Sequence, residues 1–583
     1  MRSTAFSVGL VYIWLFTKQL NLHFSTMIHL TNGAKYSTWH HPYTPAPAYS
    51  QRVAYFSMEI AIDQSLKTYS GGLGFLAGSH MRSAFDLKQN LIGITMLWST
   101  GYYDQVRKAN GQMDVLFQEK NYNFLEDTGI KVSVPISDGE VWVKAYCLRA
   151  ETFGTAPIYL LSTDIAENDA VSRTITGRLY DGNELTRVAQ SIVLGIGGAK
   201  VVDALGGADL YHMNEGHALP LAFHLYDKHG RDQAEVKKRL VFTTHTPEKA
   251  GNETHDTHLL HLMKFFGKVP AGEALIVAGQ AARSVFDYTL AALNLSRKAN
   301  GVSKLHGVVS RQMWGEADGV CEITSITNAQ NRKYWVDPQF QHAYDTGDDA
   351  HLLSRKKEMK QELFRLVANQ TGTWFDPSVL TIVWARRFAA YKRPDLILRD
   401  MARFEKLLRS KKHPVQVIWA GKPYPSDQNA TGTFNYIVEM TKHLPNCAIL
   451  TGYELELSRI AKEGADVWLN TPRRPREASG TSGMTAAMNG AINLSISDGW
   501  IPEFANDEVN SFIIQPADLT KSTEHQDIHD RDQLFNILEN KVIPRYYDHP
   551  AHWLQMMKNS MQDVYPQFDA DRMADEYYKV MYT

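Results

Sequence analysis

Residues 380–386 read LTIVWAR, and three runs of the same kind follow: VQVIWAG at 415–421, CAILTG at 447–452 and ADVWLN at 465–470. Each is short, apolar and rich in β-branched or aromatic residues, and helix-like stretches separate them. Strands that alternate with helices predict βαβ units and a parallel sheet. In open parallel sheets ligands bind beyond the carboxyl ends of the strands, so the residues just after each run carry the functional argument.

Working outward, VAYFSMEIAI at 53–62 and VFTTHT at 241–246 read as further strands, and residues 172–205 read as helix. The chain has 583 residues, well beyond the roughly 250–300 at which a single core stops growing. Two large domains are expected, divided near the polar stretch NQTGTWFDPSV at 369–379. The predicted plan is a lead-in at 1–50 (with HHPYTPAPAYS at 40–50), one domain at 51–370 and a second at 371–555. A helical segment at 556–583 is expected to return to the first domain.

The formal net charge is -2, with 44% hydrophobic and 21% charged residues. That lacks the basic excess of a nucleic-acid binder, while leaving room for a local cationic cluster. Cys147, Cys321 and Cys447 are few and far apart, so they predict neither a disulfide framework nor a metal site, and they suit a reducing, cytoplasmic compartment. The apolar run at 5–16 after Arg2 superficially resembles a signal peptide. It has no small-residue cleavage site and is too short to span a bilayer, so no membrane association is expected, and Met27 is a second candidate start.

Three segments carry chemistry. YSGGLGFLA at 69–77 sets Gly71, Gly72 and Gly74 between a strand and a helix, where free backbone N–H groups suit an anion; a tight turn needs the same residues. RRFAAYKR at 386–393 follows a strand at once and puts Arg386, Arg387, Lys392 and Arg393 within eight residues. Most basic runs are solvated surface, but this position suits a phosphate clamp. NTPRRPREASGTSGMTAAMNG at 470–490 begins at a strand end and opens a helix of small residues. There the N–H groups of Gly480, Thr481 and Ser482 would face an anion, and Glu477 would accept from sugar hydroxyls. MNEGH at 213–217, TTHTP at 243–247 and SITN at 325–328 bring His217, His245 and Asn328 to strand ends. No P-loop, G-x-S-x-G or spaced metal ligands occur.

Taken together and in order, AYFSMEI, YSGGLG, NEGH, FTTHTP, NGVSKLHGVVSRQMW, SITN, RRFAAYKR, AGKPYP and DVWLNTPRRPREASGTSGM resemble the α-glucan (glycogen, starch, maltodextrin) phosphorylases of the short bacterial type, over about residues 51–505. The resemblance implies a GT-B fold, two Rossmann-like α/β domains facing across a cleft. It also implies cleavage of α-1,4-glucan by inorganic phosphate to glucose 1-phosphate with retention, a pyridoxal phosphate (PLP) cofactor whose phosphate works beside the substrate phosphate, and often a homodimer. By position, His245 and Asn328 would bind glucose around its 6-hydroxyl. Glu477, Ser479, Gly480 and Thr481 would hold the rest of the substrate. Gly71 and Gly72 would face the substrate phosphate, Arg387 and Lys392 would clamp it with help from Arg386, and Tyr453 would lie on the cofactor side.

The departures matter as much. The family's imine-forming lysine falls at Thr485, and no lysine stands between Lys462 and Lys521 to replace it. Phe75 and Ser79, TNAQN at 327–331 and AGKPYP at 420–425 also differ from the family pattern. Three readings stay open: PLP bound without the imine, a sugar-nucleotide donor in place of PLP and phosphate, or a homologue that binds glucan without catalysis.

Overall fold

The computed structural model describes residues 37–248, 251–281 and 283–583. The apolar run at 5–16 and the second start at Met27 lie outside the described residues. The first sheet has nine strands: β1 (Val53–Ser57), β2 (Leu91–Met96), β3 (Glu126–Ile136), β4 (Gly139–Leu148), β5 (Ile158–Ser162), β6 (Leu210–Asn214), β7 (Leu240–Thr243), β8 (Lys298–Gly301) and β9 (Glu322–Ser325). Their order is β9-β8-β7-β6-β1-β2-β5-β4-β3. Pairing is parallel except at one edge, where β4 runs antiparallel to both β3 and β5.

The second sheet has six parallel strands: β10 (Leu380–Ala385), β11 (Val415–Ala420), β12 (Cys447–Leu450), β13 (Val467–Asn470), β14 (Ile492–Ile496) and β15 (Ser511–Ile514). The order β12-β11-β10-β13-β14-β15 reverses between β10 and β13, the crevice where doubly wound sheets take ligands. The four runs read as strands at 380–470 are β10 to β13. Every residue of β10 and β11 is buried, as parallel strands covered on both faces require.

Seven helices matter for the site: α1 (Gly72–Asp86), α2 (Arg332–Trp335), α3 (Asp349–Thr371), α4 (Leu455–Gly464), α5 (Thr481–Met488), α6 (Pro550–Phe568) and α7 (Ala570–Val580). The expected division near 369–379 falls at the end of α3, where Gly372 adopts the left-handed conformation (φ 73°). The segment after 556 has two destinations. Residues 556–568 continue α6, which lies on α5 and ties to it through Tyr565 OH donating to the Met488 carbonyl at 2.9 Å. Return to the first sheet is made by α7, which packs on α1. Just past it, the Tyr582 hydroxyl lies 2.7 Å from His212 Nδ1.

The helix read over 172–205 is broken: a short helix at Ala170–Arg173 and a tight turn at Thr174–Thr176 end before the long helix begins at Glu184. Asn183 caps it by accepting from Thr186 N, and a wider turn at Val193–Gly197 interrupts it. Within that turn, position 195 needs glycine: a Cβ there would stand 2.7 Å from Leu221 N, so the backbone meets its neighbour directly. Among the described residues the stretch Glu184–Ala204 is long and apolar enough to cross a membrane, and 78% of that window is buried inside the molecule.

The second sheet is anchored to α3 by a buried ion pair. Lys360 Nζ lies 2.5 Å from Asp466 Oδ2, which also accepts Thr381 N at 2.9 Å. Removing one partner of a buried pair leaves the other charge uncompensated. Lys360→Met is therefore expected to destabilise the fold by about 3–5 kcal/mol, read from denaturant unfolding; an unchanged midpoint would show that the pair is not needed.

Candidate active site

The carboxyl ends of both sheets turn toward one region. From the first sheet, Glu59 follows β1, Glu215 follows β6, His245 follows β7, Ser303 follows β8 and Asn328 follows β9. From the second, Arg386 and Arg387 follow β10, and the loop after β13 carries Glu477 to Gly480 into α5. The two sets touch: Ser303 Oγ donates to the Ala478 carbonyl at 2.7 Å, and Glu503 accepts both Lys304 N at 2.8 Å and Thr327 Oγ1 at 2.7 Å.

Glu477 organises the cations. Its carboxylate lies 2.8 Å from Lys392 Nζ and 3.1 Å from Arg386 Nη2. Burial by itself would raise its pKa, but Arg386 and Lys392 hold it below the usual carboxylate range. Two cations share one carboxylate, and Arg386 Nη1 is buried with no partner. Arg387 stands exposed beside the phenols of Tyr102, Tyr180 and Tyr391. Arg393 differs from its three neighbours. Fully buried, it bonds the Thr471 and Pro472 carbonyls and the carboxylates of Asp527 and Asp530, so it braces the loop rather than lining the site.

The loop from 477 to 500 is held from below. Asp498 accepts Glu477 N at 3.0 Å and Gly499 N at 2.9 Å. Gly480 caps α5 at φ 93°, a conformation that glycine adopts freely, and no side chain caps the helix. Its first N–H groups are thus available to a ligand. Ser479 Oγ and Asn328 Oδ1 are also buried without partners. Unpaired buried polar atoms are costly, and here Arg386 Nη1, Ser479 Oγ and Asn328 Oδ1 lie in segments that meet at one place.

On the facing side, Gly71 differs from its sequence reading. Its N–H donates to Glu59 Oε2 at 3.1 Å, as does Ser70 N at 2.6 Å, so this turn is already committed to a carboxylate. Tyr180 OH donates to the other Glu59 oxygen at 2.9 Å. Gly72 opens α1, and a Cβ there would meet nothing within 4 Å. His245 Nε2 lies 2.7 Å from Asn214 Oδ1; because Asn214 Nδ2 donates to Ser57 Oγ, Oδ1 is the atom that faces the ring. Burial lowers the His245 pKa to about 3, so the ring is neutral, with Nε2 the donor and Nδ1 left to accept. Glu215, at φ 71° and ψ 170°, is in a region that costs non-glycine residues about 1–3 kcal/mol. Its carboxylate accepts from His245 N and Thr246 Oγ1, contacts that hold it there.

The expected cofactor suits one end of this arrangement and not the other. A phosphate matches the unpaired Arg386 Nη1 and the uncapped α5. Thr485 has no amine, is fully buried, and donates Oγ1 to the Ser482 carbonyl at 3.1 Å. Tyr453 spends its hydroxyl on the Ala385 carbonyl at 3.0 Å. Among the described residues no three His, Cys, Asp or Glu side chains gather to hold a metal. Glu59 and Asp498 were absent from the sequence reading of the site. Glu59 lies inside the run read as a strand at 53–62, which ends at Ser57 and leaves the carboxylate just beyond it.

Asp498 predicts a pH dependence. Burial, with the nearby Glu477 charge, pushes its pKa up to about 7. The folded state then keeps a proton that the unfolded chain releases near its ordinary value, so this group's contribution to stability is lost as pH rises toward 7. Asp498→Asn is expected to flatten the decline in unfolding temperature between about pH 4 and pH 7. Parallel curves for the two proteins would remove Asp498 from that role.

Sequence comparison agrees with the fold and these motifs. The carbohydrate phosphorylase family profile matches residues 336–514. An uncharacterized protein of Methanocaldococcus jannaschii is 48% identical, across 91% of this chain and 99% of its own length. The maltodextrin phosphorylase of Thermococcus litoralis is 34% identical, across 94% of this chain and 72% of its own. The glycogen phosphorylase of Aquifex aeolicus is 30% identical, across 92% and 86%. With identity of this level running along nearly its whole length, the chain belongs to the carbohydrate phosphorylase family.

Proposed function

We propose that the protein is an α-glucan phosphorylase-like retaining glucosyltransferase. It would cleave the terminal α-1,4 bond of a glucan with inorganic phosphate and release glucose 1-phosphate. The observation that carries this reading is the charge cluster at the end of β10: Arg386 and Lys392 around Glu477, with Arg386 Nη1 unpaired and Arg387 open to solvent. A dianionic phosphate beside a positively charging sugar needs preorganised cations and N–H donors of this kind. In this reading the two sheets belong to two Rossmann-like domains, about 51–370 and 371–555, that face across a cleft and close to exclude water.

In the reaction, the C1–O4 bond breaks and a C1–O(phosphate) bond forms on the same face. The phosphate proton passes to O4 of the departing glucan. Arg387 and Lys392 hold the phosphate, and Arg386 with the first N–H groups of α5 holds a second anionic group. Neutral His245 accepts from the sugar 6-hydroxyl through Nδ1, with Asn328 beside it. Glu477, Ser479, Gly480 and Thr481 orient the ring. PLP, when bound, supplies the second phosphate as a proton relay beside the substrate phosphate, and Arg386 and the α5 N-terminus are the groups that would hold it.

One observation favours a second reading. Thr485 removes the family's covalent anchor, so a sugar nucleotide, whose diphosphate spans both anion positions, is the alternative donor. Glucose 1-phosphate release from maltodextrin and phosphate, with and without PLP, separates the two. PLP-dependent release is the expected result. No release, together with binding of UDP- or ADP-glucose, would replace phosphorolysis by nucleotide-dependent transfer. Arg387→Ala is expected to lower kcat by about 10²–10³ and to leave unfolding within about 0.5 kcal/mol. Wild-type turnover in that variant would sink the clamp.

A further inference from the structure

Five lysines are buried in the described residues: Lys356, Lys360, Lys392, Lys422 and Lys462. Four have oxygen partners. Lys356 donates to the Glu463 carbonyl at 2.7 Å and the Asn489 carbonyl at 2.8 Å. Lys360, Lys392 and Lys422 bond Asp466, Glu477 and Glu454 at 2.5, 2.8 and 2.6 Å. Lys462 is 2% exposed and makes no ion pair among the described residues. Its ammonium lies instead between rings, 3.8 Å from the centroid of Trp335 and 5.5 Å from that of Phe75. Desolvation without a partner lowers its pKa to about 7.

That amine lies on a helix packed against the one that carries Thr485: Lys462 is on α4 and Thr485 on α5, and α1, with Phe75, and α2, with Trp335, pack on α5 as well. Asn489, the C-cap of α5, ties these pieces together, its Nδ2 donating to the Trp335 carbonyl at 2.8 Å and to the Thr485 carbonyl at 2.9 Å. Tyr69, Phe75, Trp335 and Leu455 form one apolar cluster around the same spot.

We propose that Lys462 is the residue to which PLP bonds in this chain, reached from α4 instead of from position 485. The inference rests on the proposed function, which makes PLP the cofactor. The neutral amine adds to the aldehyde carbon; a C=N bond replaces C=O, and the oxygen leaves as water. A desolvated lysine in an apolar pocket is nucleophilic at neutral pH. The ring faces that now hold the cation also suit a flat conjugated ligand. The phosphate end of the same molecule then has Arg386 Nη1 and the α5 N-terminus to meet.

The test uses the full chain with one equivalent of PLP, borohydride reduction, digestion and mass mapping. One reduced pyridoxyl group on the Lys462 peptide is expected. Lys462→Met should lose it by more than about tenfold, while unfolding as the parent does. In the double variant Lys462→Met, Thr485→Lys the label should move to position 485, which guards against a misfolded single variant. Label retained in Lys462→Met, spread over surface lysines, or absent from the parent overturns the inference. Glucose 1-phosphate release run in parallel keeps the two ideas apart. PLP-dependent release without label on Lys462 rejects this inference and leaves the proposed function standing; label on Lys462 without release does the reverse.

Discussion

One carboxylate holds the candidate site together. Arg386 and Lys392 leave β10 along different paths, and two cations brought this close in a buried place repel strongly. Glu477, delivered by another strand, accepts from both. A single negative charge between two positive ones leaves the group net cationic, which is the state an anion-binding site needs. It also leaves a guanidinium nitrogen without a protein partner, a cost that a bound anion would offset.

That carboxylate is only as well placed as its loop. Asp498 accepts the Glu477 N–H, Gly480 turns the chain through φ 93°, and Trp500 N donates to the Ser479 carbonyl at 2.9 Å. Arg393 fixes the other side by binding two carbonyls and two carboxylates at once. Four cations adjacent in sequence thus divide among different tasks: two face Glu477, one is open to solvent and one is a buried brace. The backbone at Glu215 tells the same story on the facing sheet, where its side-chain bonds hold an unfavourable φ.

Membership of the carbohydrate phosphorylase family and a threonine at 485, where the resemblance implies a lysine, pull in different directions. The resolution offered by the packing is spatial. Residues far apart in sequence, 75, 335, 462 and 485, come from four helices that meet. A functional amine in such a place need not keep its helix, because what the chemistry requires is a nucleophile at a point in space. The aromatic surroundings of Lys462 explain how the ammonium is tolerated there without a carboxylate.

Much of this was legible in the sequence because it is local. Strands β10 to β13 show as apolar runs, and the residues one to three positions past a strand end, Arg386 and Arg387 after β10, His245 after β7 and Asn328 after β9, are placed by chain connectivity alone. Helix starts need only local caps, and the reading of 172–205 as one helix passed over Gly177, Gly182 and the cap Asn183, which mark the break before Glu184. Pairings across long separations were not legible. Nothing in the spacing says that Glu59 takes the Gly71 N–H, that Asp498 supports Glu477, or that Arg393 turns inward. The amino-acid order by itself determined the parallel sheets and the strand-end residues, since these follow from periodicity and connectivity, and it carried the motifs by which the family is recognised. Only the tertiary structure decided which charges neutralise one another and which stay unpaired, because desolvation and Coulomb energy depend on distances that the chain sets when it folds.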